Sequence, residues 1–346
     1  MLAATPAICQ YYLVQAVSVI GAGGIGVALG WFLARAGWDV TMVDANPAKV
    51  QAGRRDGIAL NGVPERKLRF VAFTDWLPSP RSLLLLCTKT YDNAAVLERV
   101  PQRSLLIPVQ NGFDPLLEAS DHALEGIASF VSHGEPDRAA TRITRAGELH
   151  LGGRRNLGAG QRSILENLAH SIRAGGCRRV RVVPSITPYK CSKLMYNAAI
   201  SPLAAAAGMD NEGLLRDPLA QRLFFTLLRE NYEILRRSGA RLAKIGPFHP
   251  AMVDRILRRP SLAKVLARFF RPGLRGTYCS MTPDVRTGRT EIAAYNGHLQ
   301  KLARGRACPL NTAVIAMMRT MKDKGLTPHR EMLVELGKTV GMGTLL

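Results

Sequence analysis

The chain has 346 residues, enough for two domains of ordinary size, each with its own core. Apolar residues make up 47% and charged residues 21%, a globular composition, and no apolar run is long enough to cross a bilayer, so the expectation is a protein without membrane partners. Lys and Arg number 47 against 26 Asp and Glu, a net charge of +21. Much of the excess lies in Arg255, Arg258, Arg259, Arg268, Arg271 and Arg275, which alternate with apolar residues at helical spacing. That pattern reads as a solvated helix face and not as a nucleic-acid-binding block. Cys9, Cys87, Cys177, Cys191, Cys279 and Cys308 show no C-x-x-C spacing. They argue against a zinc site or a disulfide framework and for a reducing, cytoplasmic location. Residues 1–16 lack the basic start of a secretory signal and read as an extension.

The first informative stretch is Val17-Ser-Val-Ile20 followed by Gly21-Ala22-Gly23-Gly24-Ile25-Gly26. The apolar run reads as a buried strand. Ile25, Ala28, Leu29, Phe32, Leu33 and Ala36 then recur at helical spacing up to Gly37, a C-terminal stop. Strand, glycine turn and helix together make the G-x-G-x-x-G pattern a dinucleotide fingerprint: Gly21 permits the turn, Gly23 admits a pyrophosphate, and Gly26 lets helix and strand approach. The phosphates then lie on free N–H groups at a helix N-terminus. Asp39 to Asp44 reads as a second strand, ending in the carboxylate that holds the ribose hydroxyls of such a cofactor.

Pro47–Asp56 reads as a helix opened by proline. Residues 57–73 alternate and turn at Asn61-Gly62, a hairpin signal. Ser82–Cys87 is an apolar run read as the third strand of a parallel sheet. It ends in Thr88-Lys89, which places Lys89 at the ligand-bearing edge. Leu105–Val109 is a strand ending in Gln110-Asn111-Gly112. Further strands are expected at 126–133 and 147–152, a helix at 161–174 and a last strand at 179–183. His133 reads as a structural histidine, since nothing nearby completes a dyad. After Pro184 only helical periodicity remains. The predicted organisation is an N-terminal Rossmann-type α/β domain over 17–184 and an all-α domain over 185–346. Leu223, Phe224, Leu227 and Leu228 form an apolar stripe that reads either as core or as a homodimer interface.

The first helix of the second half carries Lys193, Asn197 and Ser201, four residues apart and therefore on one face. An ammonium, an amide and a hydroxyl on an otherwise Ala/Leu/Ile helix are consistent with a substrate cleft or with a plain exposed face.

In order and spacing, a set of motifs resembles the ketopantoate reductase (2-dehydropantoate 2-reductase) family. They are the glycine turn, Cys87-Thr-Lys89-Thr-Tyr-Asp92, Gln110-Asn111-Gly112, Ser132-His133-Gly134, Lys193-Leu-x-x-Asn197-Ala-x-Ile-x-Pro202-Leu203, Asn211, Ser280-Met281-x-x-Asp284, Arg289-Thr290-Glu291-Ile292 and Asn296-Gly297. The resemblance implies a Rossmann domain joined to an all-α C-terminal domain like the C-terminal domain of 6-phosphogluconate dehydrogenase. It also implies reduction of a 2-keto acid by NAD(P)H. It makes Lys193 the proton donor, Glu291 the carboxylate facing the site, and Asn111 a bridge between cofactor and substrate. Lys89 becomes a cofactor contact, and Asn197, Asn211 and Ser280 become substrate hydrogen-bonders, with Ser201 beside them.

Three positions depart from the family pattern. Ser201 stands where a second helix asparagine is usual, Pro283 replaces a common glutamine in a loop one residue short, and Asp44-Ala45 occupies the place of an arginine that binds the NADP 2′-phosphate. A carboxylate beside a phosphate is repulsive, so the local chemistry favours NADH while the resemblance favours NADPH. A related hydroxy-acid dehydrogenase and a non-catalytic nucleotide-sensing or nucleic-acid-binding relative remain as alternative functions.

Overall fold

The computed structural model describes residues 15–342. The extension expected at 1–16 falls almost wholly outside them, and the first strand already begins at Ala16. Contacts divide the chain into two compact units. The first runs to Gln110 and resumes over Ala119–Thr187; the second comprises Asn111–Glu118 and everything from Pro188 onward.

The first unit is built on β1 (Ala16–Ile20), β2 (Asp39–Asp44), β5 (Arg69–Ala72), β6 (Leu83–Leu86) and β7 (Leu105–Pro108). They form a parallel sheet in the order β5-β2-β1-β6-β7, with order reversing at β1. β6 is wholly apolar and buried along its length, as a central strand covered on both faces must be, and Val19 of its neighbour β1 also has no exposed surface. Helix α1 (Gly24–Arg35) follows the glycine turn and buries Val27, Ala28, Leu29, Phe32 and Leu33. Its end is marked by Gly37 at φ +85°, the left-handed conformation that releases the chain into β2. Helix α2 (Pro47–Asp56) is capped by the Asn46 side chain, which accepts from the Ala48 N–H.

Asn61 and Gly62 both have positive φ and join β3 (Ile58–Leu60) to β4 (Val63–Glu65), so the hairpin forms where the turn chemistry places it. The rest of the alternating stretch behaves differently. Arg69–Ala72 pairs in parallel with β2 as the edge strand, which makes Leu83–Leu86 the fourth and not the third strand of that sheet in chain order. A four-residue edge strand buries only Phe70 fully, and this leaves too short an apolar signal to read. The strand β10 (Ala140–Arg145) was likewise not legible, being polar along most of its length. It lies between β3 and β9 (Val131–Gly134) in a four-stranded sheet. β8 (Leu124–Ala128), β11 (Leu149–Gly153) and β12 (Val180–Ser185) form a third sheet, covered by α3 (Ala159–Ala174).

The second unit is helical. Its axis is α4 (Thr187–Ala207), in which Leu194, Met195, Ala198, Ala199 and Leu203–Ala206 are buried. It shares one hydrophobic cluster with α5 (Pro218–Arg237), α8 (Pro309–Asp323) and α9 (Glu331–Thr339). α6 (Pro250–Leu257) packs on α5, and α7 (Pro260–Phe270) packs on α6. Leu223, Leu227 and Leu228 of α5 are buried within this unit and Phe224 packs on the same cluster, which settles that stripe as core. A buried amide network fixes α4. Asn296 Nδ2 donates to the Ala198 carbonyl and to Asn311 Oδ1, both at 2.9 Å; Asn311 Nδ2 donates to Asn231 Oδ1 at 2.8 Å; and Asn231 Nδ2 donates to the Met195 carbonyl at 3.0 Å. All three asparagines are fully buried, so each satisfied bond also avoids the cost of an unpaired polar group.

Candidate active site

In the first unit the glycine turn has the geometry the motif requires. Gly21 sits at φ +97°, where a Cβ would come within 2.8 Å of the Thr88 nitrogen. A Cβ on Gly26 would overlap the Gly21 carbonyl oxygen. Gly23 has no neighbour within 4 Å of a Cβ, so this side of the turn is open to an approaching anion. Ala22 is buried, whereas Gly23, Gly24 and Ile25 at the start of α1 are partly exposed. Ser132 of β9 lies against Gly24, and His133 next to it points outward and is exposed.

Asp44 stands at the end of β2 beside this turn. Its Oδ2 accepts from the Ala22 N–H at 2.6 Å and its Oδ1 from the Asn46 N–H at 2.8 Å. Lys49, one turn into α2, donates from Nζ to the Ala22 carbonyl at 3.1 Å. The carboxylate therefore braces the glycine turn from the end of the second strand. A cavity of about 560 Å³ opens next to it, lined by Ala45, Gln51, Arg54, Arg55 and Phe73 among others. On the other side of β1, Lys89 is half-buried in the loop after β6. That loop is fixed by Gln110, whose Nε2 donates to the Thr88 carbonyl at 2.8 Å and to Asn93 Oδ1 at 2.8 Å. These features fit a dinucleotide: an open glycine turn at a helix N-terminus, an acid at the end of the second strand, and a cationic side chain at each flank.

The remaining candidates lie in the second unit. Asn111 opens the segment 111–118 that groups there, and Gly112 at φ +76° lies so close to the Tyr295 ring that a Cβ would be 2.7 Å away. The Phe113 N–H donates to the Ala294 carbonyl at 3.0 Å. Tyr295 belongs to a π-turn over Ala293–Gly297 and has no exposed surface. Its hydroxyl donates to Glu291 Oε2 at 3.1 Å and lies 3.4 Å from Ser280 Oγ. Burial first, and the Glu291 charge second, raise the Tyr295 phenol well above its ordinary range, so it stays a donor. Glu291 is itself buried, and Ser280 is half-buried.

On α4, Lys193 and Asn197 are half-buried and Ser201 is buried. Cys279 donates from Sγ to the Ser201 carbonyl at 3.2 Å, which places the Ser280 loop against this turn of the helix. Asn211 is buried, and its amide donates to Thr277 Oγ1 at 3.1 Å, just before the same loop. Thus Ser280 and Glu291 meet on the Tyr295 hydroxyl, Thr277 and Cys279 of the same loop hold Asn211 and the Ser201 carbonyl, Asn111 precedes the glycine that packs on Tyr295, and Lys193 and Asn197 occupy the helix that carries Ser201.

Four participants are not legible in the sequence. Tyr295 connects Ser280 with Glu291, and its position four residues after Glu291 was the available signal. Phe113 is sandwiched: the Lys190 ammonium lies 4.7 Å from its ring centroid, and the His298 ring stacks on it at 4.4 Å. Lys190 is buried and sits one turn before Lys193. Burial, with Lys301 and Lys190 nearby, lowers His298 to about 4. An unfolded histidine titrates near ~6.5, so below that the unfolded chain binds a proton that the folded chain does not. Stability should therefore fall as pH drops from about 6.5 toward about 4 and level off below, by at most ~3 kcal/mol from this group. Thermal melts at pH 7 and pH 4.5 check this: His298→Phe should reduce the loss, and an identical loss in the variant would contradict the assignment.

Sequence models of the ketopantoate reductase PanE/ApbA family match residues 17–154, and that of its C-terminal part matches residues 185–322. The chain belongs to the ketopantoate reductase family. It is therefore an NAD(P)-dependent oxidoreductase with a nicotinamide cofactor. A 2-dehydropantoate 2-reductase of Aquifex aeolicus is 26% identical over 319 residues, covering 89% of this chain and 97% of that protein. Among solved structures, a D-mandelate dehydrogenase with NADH and anilino(oxo)acetate has a TM-score of 0.72 at 19% identity, covering 90% of this chain and 99% of that one. A PanE/ApbA family ketopantoate reductase from Ralstonia eutropha has a TM-score of 0.70 at 22% identity, covering 89% and 99%. These structures establish the predicted two-part fold, an α/β unit on a parallel sheet followed by helices. Among the described residues no helix is long and apolar enough to cross a membrane.

Proposed function

We propose that this protein reduces a 2-keto acid to a 2-hydroxy acid, with 2-dehydropantoate as the first substrate to test. The observation that supports the reading is the meeting of Ser280 and Glu291 on the Tyr295 hydroxyl, with the neighbouring Cys279 bonded to the Ser201 carbonyl of α4, the helix of Lys193, in a chain that also holds an open glycine turn. The relative from Aquifex aeolicus, named 2-dehydropantoate 2-reductase, supports the substrate class.

A bound reduced nicotinamide supplies hydride to the carbonyl carbon. The chain's own groups deal with the oxygen. As negative charge builds there, the Lys193 ammonium stabilises it and then gives up a proton. Asn111 and Asn197 supply amide hydrogen bonds that orient the keto group. Ser201 and Ser280 supply hydroxyls to the polar end of the substrate. Glu291, held by the Tyr295 hydroxyl at 3.1 Å, provides a carboxylate that orients the ammonium. NAD(P)H absorbance with ketopantoate and a panel of branched and aryl 2-keto acids tests this. A folded protein that binds the cofactor and reduces none of them would overturn the reading.

For the cofactor we propose NADH over NADPH. Both Asp44 oxygens already accept from backbone N–H groups, which fixes a negative charge at the end of β2, where a 2′-phosphate would have to lie. The expected ratio of kcat/KM favours NADH by about tenfold, a difference of ~1.4 kcal/mol. Asp44→Ala should shrink that ratio, and a wild-type preference for NADPH would assign the phosphate to Lys49 or to Arg54 at the neighbouring cavity.

A further inference from the structure

Helix α7 is oriented in an unusual way. At 100° per residue, Ala263, Ala267 and Phe270 share one side, and this is the side that packs: the two alanines are buried, and Phe270 meets Phe248 edge-on at 6.0 Å. The larger residues at i, i+3 and i+7 lie on the adjoining side and face water. Leu262 is 40% exposed, Val265 63% and Phe269 76%. A helix that only had to dock on its own unit would place its bulky residues inward. Met252 of α6 and Tyr278 are also exposed, at 47% each.

The chain segment that carries this stripe holds charge of one sign. Between Arg255 and Pro283 the chain contains no Asp or Glu. Arg258 is engaged by Asp254 and Glu233, and Arg271 by Glu212. Arg255, Arg259, Lys264, Arg268 and Arg275 have no ion pair among the described residues, and all five are exposed. Lys264 and Arg268 sit one turn apart along one edge of the apolar stripe.

We propose that the outward face of α7 is a docking surface for an anionic lipid bilayer. An apolar stripe edged with cations is what an interfacial helix presents to a membrane: Leu262, Val265 and Phe269 enter the boundary of the acyl chains while Lys264 and Arg268 remain at the headgroups. Two copies of this face would set like charges against each other with no acid on α7 to offset them, which disfavours self-association. A nucleic acid would use the cations but has no use for a stripe of leucine, valine and phenylalanine.

The test is co-sedimentation of the full chain with vesicles of phosphatidylcholine containing about a third phosphatidylglycerol, against vesicles of phosphatidylcholine alone. Binding to the anionic vesicles alone is expected, weakening as salt rises. The double variant Val265→Ser/Phe269→Ser should lower the partition coefficient at least ~10-fold, and Lys264→Glu/Arg268→Glu should do the same, both with keto-acid turnover unchanged in free solution. All four positions are exposed, so the variants keep their fold. Failure to sediment with anionic vesicles overturns the proposal. So does binding that the serine variant retains, or a concentration-dependent dimer that the same substitutions dissociate, or binding of duplex DNA that the serine variant leaves unchanged.

Discussion

Replacing Lys193 with alanine should lower the turnover of the 2-keto acid by roughly a hundredfold or more while leaving cofactor affinity nearly unchanged. The expectation rests on where charge develops. Hydride arriving at a carbonyl carbon leaves an alkoxide, and an alkoxide without a nearby donor must wait for water. Lys193 is the residue on α4 that combines a proton, a half-buried setting and the neighbours Asn197 and Ser201 on its own face. The buried Asn296–Asn311–Asn231 network anchors α4 at the Met195 and Ala198 carbonyls, so the helix backbone is held on both sides of Asn197. Steady-state rates, paired with a fluorescence titration of the cofactor, separate the two effects. If turnover survives in the alanine variant, the proton comes from elsewhere, and Lys190, three residues earlier, becomes the next group to vary.

The second large effect is expected at Gly26. In Gly26→Ala the added methyl would occupy the space of the Gly21 carbonyl oxygen, which is backbone and cannot rotate away. Gly21 is itself confined by Thr88 and held by its N–H to the Val43 carbonyl at 2.7 Å. The turn must then open, and α1 must shift off β1, at a cost on the order of 3 kcal/mol. NAD(P)H affinity should fall at least ~100-fold, with a melting temperature several degrees lower. Gly23→Ala is the matched control, since nothing lies within 4 Å of a Cβ there. It should fold normally and still bind the cofactor less tightly, because the methyl would occupy the open side of the turn. Equal binding by Gly26→Ala and wild type would show that the glycine turn does not hold the nucleotide.

The parts of this molecule that were legible in the sequence are those in which one local rule decides. The apolar run before Gly21, the helix start at Pro47 and the Asn61-Gly62 hairpin each carry their own cause, and the structure forms all three. β5 and β10 were not legible, because a short edge strand and a mostly polar strand owe their existence to partners distant in sequence. The same holds within the candidate site. The spacing of Lys193, Asn197 and Ser201 along one helix is local information. The link from Ser280 through Tyr295 to Glu291, and the packing of Phe113 between Lys190 and His298, join residues separated by up to 185 positions, and composition or periodicity gives no sign of them.

Because Asn111–Glu118 is threaded into the helical half while the residues on either side of it stay with the α/β half, the polypeptide passes from one half to the other three times. No single cut in the gene yields both halves intact. A fragment starting at Pro188 would lack the ring that Lys190 and His298 enclose and would leave the side of Tyr295 that meets Gly112 uncovered. Chimaeras that exchange the nucleotide-binding half between relatives would have to keep this eight-residue excursion with the helical half.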